Sequence, residues 1–280
     1  MPPVPKPMQS NSPGWPIARG EAALHPEIRR LAGRLGRTAA VFVPLLLATA
    51  RLPAQDDEWR FTSTAGWESA RIFRGVELAG SSARASVEGA VDGFRLDASA
   101  DAPFRSGEPS EAEINAAYRF KVSEPFAIEV GTTEYVFGRT APGNTRQSTE
   151  CEMRSTWSLP AGVAVAFEYD RDFRLRADTW QAGLHYDLAL KQLGAYLELA
   201  ASAGWVDGRD IRPDSPLPPV ADTYAFFEAG ARLPYRIGAH TVLAAEVRVS
   251  DAFGQNPGWS PIGAAGRARL SGSITVSFDF

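Results

Sequence analysis

The chain has 280 residues, 44% hydrophobic and 22% charged, with a net charge of −4. This composition excludes global disorder, and the single cysteine, Cys151, excludes an internal disulfide or a cysteine-based metal cluster. The acidic balance argues against nucleic acid as a partner.

The first 54 residues read as a proline-rich extension followed by a secretory signal peptide. Arg29, Arg30, Arg34 and Arg37 precede the apolar run TAAVFVPLLLATA at 38–50. A basic segment before an apolar run of this length is a signal, too short for a spanning helix. Pro44 argues against a buried helix, and the twin arginines lack the surrounding pattern of a folded-export signal. Residues 1 to about 28 are an odd extension for a signal, consistent with a start downstream of Met1. Small residues allow cleavage after Ala50 or after Ala54, and the acidic Gln55-Asp56-Asp57-Glu58 favours the second. The predicted mature chain, 55–280, keeps 22 basic and 31 acidic residues, a net charge of −9.

From there on, apolar and polar residues alternate with a period of two, the signature of strands with one apolar face. In Phe94-Arg95-Leu96-Asp97-Ala98-Ser99-Ala100-Asp101 the even positions are apolar and the odd ones polar. The alternation predicts twelve strands, at about 58–73, 82–91, 94–102, 111–121, 126–137, 149–159, 163–171, 178–188, 194–205, 223–233, 240–250 and 267–280. Every second link is short: Asp92-Gly93, a two-residue hairpin signal, then 122–125, 160–162, 189–193 and 234–239. The other links are mostly longer and rich in Gly, Pro and charge, such as 138–148, 206–222 and 251–266.

An even number of strands joined by alternately short and long links predicts an all-β fold, a transmembrane antiparallel β-barrel in a Gram-negative outer membrane. Both chain ends then lie on the periplasmic side. Trp59, Phe94, Phe120, Phe126, Trp157, Phe278 and Phe280 collect near the short-turn ends. Tyr169, Trp180 and Trp205 collect near the long-loop ends, giving the two aromatic girdles of a barrel. A secreted β-sandwich is the alternative, but it would bury its apolar face and needs no aromatic rims.

The last strand, SGSITVSFDF, stays regular to its final residue, as it must if it pairs with the first to close the barrel. Its outward Ile274, Val276, Phe278 and terminal Phe280 resemble the carboxyl-terminal signal read by the barrel assembly machinery of bacterial outer membranes. The stretch WESARIFRGVELAGSSARASVEGAVDGF, with Ser69, Phe73, Arg74, Gly75 and Val76 in order, resembles the opening of a family of outer-membrane porins called TorF-like. The family's first aromatic is replaced by Ala70-Arg71. GTTEYVFG at 131–138 resembles the family's Gly-x-x-x-Tyr-x-aromatic strand end. The resemblance implies a porin-type barrel over residues 56–280 and names no substrate.

Alternation turns a set of mixed charges inward as candidate pore lining: Arg60, Glu68, Arg84, Glu88, Arg95, Asp97, Glu113, Arg119, Glu129, Glu152, Arg154, Glu168, His185, Glu198, Glu228, Arg232, Glu246, Arg248 and Arg269. They could equally fill the lumen with ion pairs, since small barrels pack their interiors and wide ones conduct. Two positions break the pattern. Glu134 turns outward unless a bulge at Gly131 returns it to the lumen and sends Tyr135 and Phe137 to lipid. Arg71 also points outward, above the bilayer.

A barrel enzyme would need a Ser/His/acid set at the external outer rim. His185 faces inward and His240 lies at a periplasmic turn, so no catalytic set, metal site or cofactor is expected. Asp207, Asp210 and Asp214 match no calcium-loop spacing. The expectation is a monomeric, narrow, porin-like passive channel for small polar solutes, embedded in outer-membrane lipid. The alternative is a non-conducting barrel whose external loops bind a partner or serve a structural role.

Overall fold

A computed structural model describes residues 59–138, 147–190, 195–210, 213, 218–254 and 268–280. The predicted leader, 1–54, and its cleavage site lie outside the described residues. Fourteen strands follow in chain order: β1 (Arg60–Glu68), β2 (Arg71–Phe73), β3 (Val76–Ala79), β4 (Ser82–Val91), β5 (Phe94–Pro103), β6 (Glu111–Lys121), β7 (Phe126–Phe137), β8 (Gln147–Ser158), β9 (Val163–Asp172), β10 (Ala177–Leu190), β11 (Ala195–Gly208), β12 (Asp222–Arg236), β13 (Thr241–Phe253) and β14 (Arg269–Asp279). Twelve of them, all but β2 and β3, form one closed barrel of antiparallel neighbours.

Closure is made by β1 against β14, from Thr62 opposite Asp279 to Glu68 opposite Ser273. The terminal Phe280 still takes part, its amide donating to the Phe61 carbonyl at 2.9 Å. With no free edge, each wall strand has a hydrogen-bonding neighbour on both sides, the condition for a sheet to cross hydrocarbon. At the short-turn rim, Asp92 and Gly93 adopt φ of 46° and 82°, the left-handed pair of a type I′ hairpin.

Burial runs opposite to that of a water-soluble sandwich. Leu96, Ile114, Met153, Phe167, Leu184, Val247, Leu270 and Ile274 are exposed on the outside, while Asp101, Glu111, Glu150, Asp170 and Asp172 are buried. Exposed apolar surface on this scale needs an apolar solvent. Aromatic pairs mark both ends of the band. Trp59 meets Phe94 at 6.1 Å and Phe126 meets Trp157 at 5.5 Å near the short turns, and Tyr169 meets Trp180 at 5.6 Å near the opposite rim.

The first predicted strand, 58–73, needs correction. The wall strand stops at Glu68, and the chain turns inward to make the separate β2–β3 hairpin before β4 begins. Arg71 is therefore a lumenal residue rather than an outward one above the bilayer.

Candidate functional site

Residues opposite one another in an antiparallel ladder share a face, so charged rows can be followed round the inside of the barrel. One runs Glu68–Ser273–Glu246–Arg232–Glu198–Asp187 across β1, β14, β13, β12, β11 and β10. A second runs Arg119–Glu129–Arg154–Glu168 and continues through Gln181 and Gly204 to Phe226 and Ala252. Arg60, Arg95, Glu152 and Asp170 share a third row. Glu88, Asp97, Asn115 and Glu150 share a fourth. Arg84 stands opposite Asp101, Glu113 opposite Ser99, Arg248 opposite Gly230 in the row of His185, and Arg269 opposite Ser250 in the row of Glu228.

These charges pair locally. Arg95 reaches Glu129 at 3.0 Å, Arg232 reaches Glu198 at 2.7 Å, and Arg248 reaches Glu246 at 2.7 Å. Arg154 lies 3.7 Å from Glu168, and Arg84 lies 3.7 Å from Glu113. The Asn115 amide donates to Glu152 at 2.7 Å, and His185 meets Asp187 at 2.8 Å. Gly131 leaves room for Glu152, whose carboxylate would collide with any added Cβ.

The β2–β3 hairpin crosses this interior. Arg74 and Gly75 form its tip with φ of 49° and 77°, a second turn of the I′ kind. From the tip, the Arg74 guanidinium donates to Glu150 at 2.7 and 3.1 Å and to Asp170 at 2.9 Å. It also lies 4.5 Å from the centre of the Phe73 ring. On the stem, Arg71 donates to Glu111 at 3.2 Å, pairs with Glu113, and lies 3.8 Å from Asp101. Glu77 pairs with Arg269, and the Gly75 amide donates to Glu228 at 3.4 Å. The hairpin is thus tied to β5, β6, β8, β9, β12 and β14. Carboxylates this buried need such partners, because removing one side of a buried ion pair costs about 3–5 kcal/mol.

One flank of the hairpin is apolar. Val76 packs with Val206, Tyr224, Phe226 and Ala252, with Leu78 against the same cluster. Gly204 makes room for it: a Cβ there would sit 2.5 Å from the Phe226 ring. At the tip, a Cβ on Gly75 would overlap the Asp251 carbonyl, so the hairpin lies directly on the backbone of β13.

The opposite flank is open. A cavity of about 220 Å³ lies between Ala70, Arg71 and Ile72 of the hairpin side and Thr64, Gly66, Ser271, Ser273 and Thr275 of the β1–β14 wall. A second, of about 340 Å³, lies among Arg154, His185, Glu198, Ser202, Glu228 and Arg232. Glu246 and Arg248 line both.

No bulge occurs at Gly131: β7 keeps continuous register with both β6 and β8. Glu134 therefore points outward, where the Thr149 hydroxyl donates to it, and Tyr135 and Phe137 face the lumen. That facing gives Tyr135 a role. Its hydroxyl donates to Glu150 at 3.2 Å and its ring meets Phe73 at 6.1 Å. The two stretches singled out in the sequence, Phe73-Arg74-Gly75 and GTTEYVFG, thus meet around one carboxylate.

No group able to hold a metal occurs among the described residues. Asp207 accepts from the Thr223 hydroxyl at 3.0 Å, and Asp214 lies outside the described residues. The His240 carbonyl accepts from the Asp279 amide at 2.9 Å.

Among solved structures, the barrel is similar to the KdgM porin in complex with disordered oligogalacturonate (TM-score 0.51, 13% identity, 79% of this chain and 99% of that one). It is similar also to the NanC porin (TM-score 0.51, 11% identity, 78% and 98%). A fainter likeness is to LpxR from Salmonella typhimurium (TM-score 0.46, 9% identity, 78% and 99%). No protein-family description and no curated protein matches the chain in sequence. At these identities the likeness is one of fold, and the two porins share it nearly end to end. Closure, the outward apolar band and that shared fold make the chain an outer-membrane β-barrel of porin-like architecture.

Proposed function

We propose that the protein is a narrow, porin-like passive channel for small polar solutes, working as a monomer without catalysis or cofactor. The observation that carries this reading is the pair of cavities whose linings share Glu246 and Arg248, one of them on the flank that the hairpin leaves open. A solute there would exchange hydration for hydroxyls and fixed charges of both signs, which suits polar molecules and rejects apolar ones. That a similar barrel, KdgM, has been seen with oligogalacturonate supports a polar cargo in general. Kinship with the TorF-like porins rests on the two short motifs, whose residues pack together around Glu150. The predicted leader fits the same reading. Amino-terminal sequencing of protein from membranes should find a start near Gln55, and an intact Met1 would refute it.

The refolded protein in planar bilayers should give small, discrete, ohmic conductance steps. A second reading, a non-conducting barrel, has its own support in the apolar packing of Val76 against Val206, Tyr224, Phe226 and Ala252 on one flank, and a fully closed barrel would show no steps at all.

A further inference from the structure

Resting on that channel reading, we propose that the β2–β3 hairpin is the channel's constriction and sets its size limit. Arg74 and Val76 fix it in place, and solutes pass between it and the β1–β14 wall. Three independent observations point this way.

No backbone ladder joins the hairpin to the wall. β2 pairs only with β3. Its position is set by the charged contacts of Arg71, Arg74 and Glu77, by the Gly75 amide on Glu228 and by the apolar contact of Val76. A segment held in this way can be released by substitution while the wall stays closed.

Its two flanks are unequal. Toward β11, β12 and β13, bulky Tyr224 and Phe226 fill the space against Val76. Toward β14 and β1, Arg269 pairs with Glu77 of the hairpin and Glu68 lines the cavity, but the other facing side chains are small: Thr64, Gly66, Ser271, Ser273 and Thr275. The void lies on that second side. A solute entering from the loop side would therefore pass Arg71 and Ile72, cross the Glu246–Arg248 pair and reach the wider cavity beyond.

Arg74 occupies a made-to-fit receptor. Glu150 accepts two of its hydrogen bonds, Asp170 accepts another, Tyr135 donates to the same Glu150, and Phe73 stacks beneath. A bidentate guanidinium–carboxylate contact fixes orientation as well as attraction. It anchors the tip, whose Gly75 lies on the β13 backbone, by a side chain that reaches β8 and β9.

The test uses the full-length refolded barrel and reads single-channel conductance together with the exclusion limit for neutral polyethylene glycols in liposome swelling. Arg74→Ala combined with Glu150→Gln and Asp170→Asn removes the charged tie without stranding a buried charge. Val76→Ser loosens the apolar tie and leaves the charges alone. Each should raise conductance severalfold and admit larger polymers, while heat-modifiable mobility stays that of a folded barrel. Ser273→Arg, which fills the slot from the wall side, should lower conductance severalfold. Wild-type conductance that all three variants leave unchanged would overturn the hairpin's role and leave the channel reading standing. A silent wild type with conducting triple and Val76→Ser variants would uphold the hairpin as the closing element and overturn the open-channel reading. Silence from every variant would overturn both.

Discussion

The turns at Asp92–Gly93 and Arg74–Gly75 share a backbone conformation and have opposite surroundings. The first joins β4 to β5 at the short-turn rim, and the Gly93 carbonyl accepts from the Arg119 amide at 2.8 Å. The second joins strands that belong to no barrel wall, and its surroundings are carboxylates, an aromatic ring and the β13 backbone. Turn chemistry decides that a hairpin forms. Where it goes depends on what its flanks carry. β4 and β5 present an apolar outer face to lipid, whereas Arg71, Arg74 and Glu77 find their partners only inside.

The wall and the hairpin should therefore fail differently. The largest effect is expected at the seam. Deleting Phe280, or replacing it with Asp, removes the last residue of the closing strand and the proposed assembly signal, and should abolish most insertion. Heat-modifiable gel mobility reads this, and a normal folded yield would count against it.

The next largest effect tests facing within one wall strand. Leu184 is 56% exposed on the outer face, and its neighbour His185 lines the cavity within. Leu184→Arg should cost roughly 2–4 kcal/mol at a lipid-facing midplane site. His185→Arg should cost much less, because Asp187 and Glu198 lie on the same lumenal side. Denaturant unfolding in lipid vesicles gives both values, and the reverse order would mean that β10 is one residue out of register.

The smallest effect compares the two turns directly. An alanine forced into the left-handed region costs about 1–2 kcal/mol. Gly93→Ala should cost at least that in barrel unfolding, since its Cβ would also stand 2.7 Å from the Arg119 carbonyl. Gly75→Ala is strained too, but it can relieve its overlap with Asp251 by lifting the hairpin. Its effect on wall unfolding should be smaller, with a gain in conductance in its place. Equal losses at both glycines would show that the hairpin unfolds together with the wall.

The wall was legible in the sequence because lipid imposes one requirement on every strand, an apolar residue at each outward position. Leu96, Ile114, Leu184 and Ile274 obey it separately, so the pattern can be read strand by strand. The hairpin was less legible. Carried on to residue 73, the register of β1 turns Arg71 outward and Ile72 inward, and this break in the alternation is the one local sign that the wall strand has ended at Glu68. The Arg74–Gly75 turn lacks the Asn or Asp that marks Asp92–Gly93. The partners of Arg74 lie 76 and 96 residues away along the chain. Its site is a property of the closed barrel.

Glu134 is a different case. An outward carboxylate in a lipid-facing strand suggests a bulge, but the ladder holds register on both sides of β7. The Thr149 hydroxyl from β8 accommodates the charge near the loop end of the strand. Of the two facings the sequence allowed, strict periodicity holds, and Tyr135 and Phe137 face the lumen.

The seam between β1 and β14 has a consequence in time. The hydrogen bond from the Thr62 hydroxyl to Asp279 joins residues 217 positions apart, whereas most neighbouring wall strands are adjacent in the chain. Loop-closure entropy rises with separation and delays distant pairings. The wall can therefore grow hairpin by hairpin as an open, curling sheet, with its two terminal strands meeting last. The β2–β3 hairpin leaves the chain beside that seam and docks on strands from β5 to β14. Because it leaves the chain at the loop-side end of β1, docking before closure can proceed through the open seam, and docking after it only through the loop-side mouth.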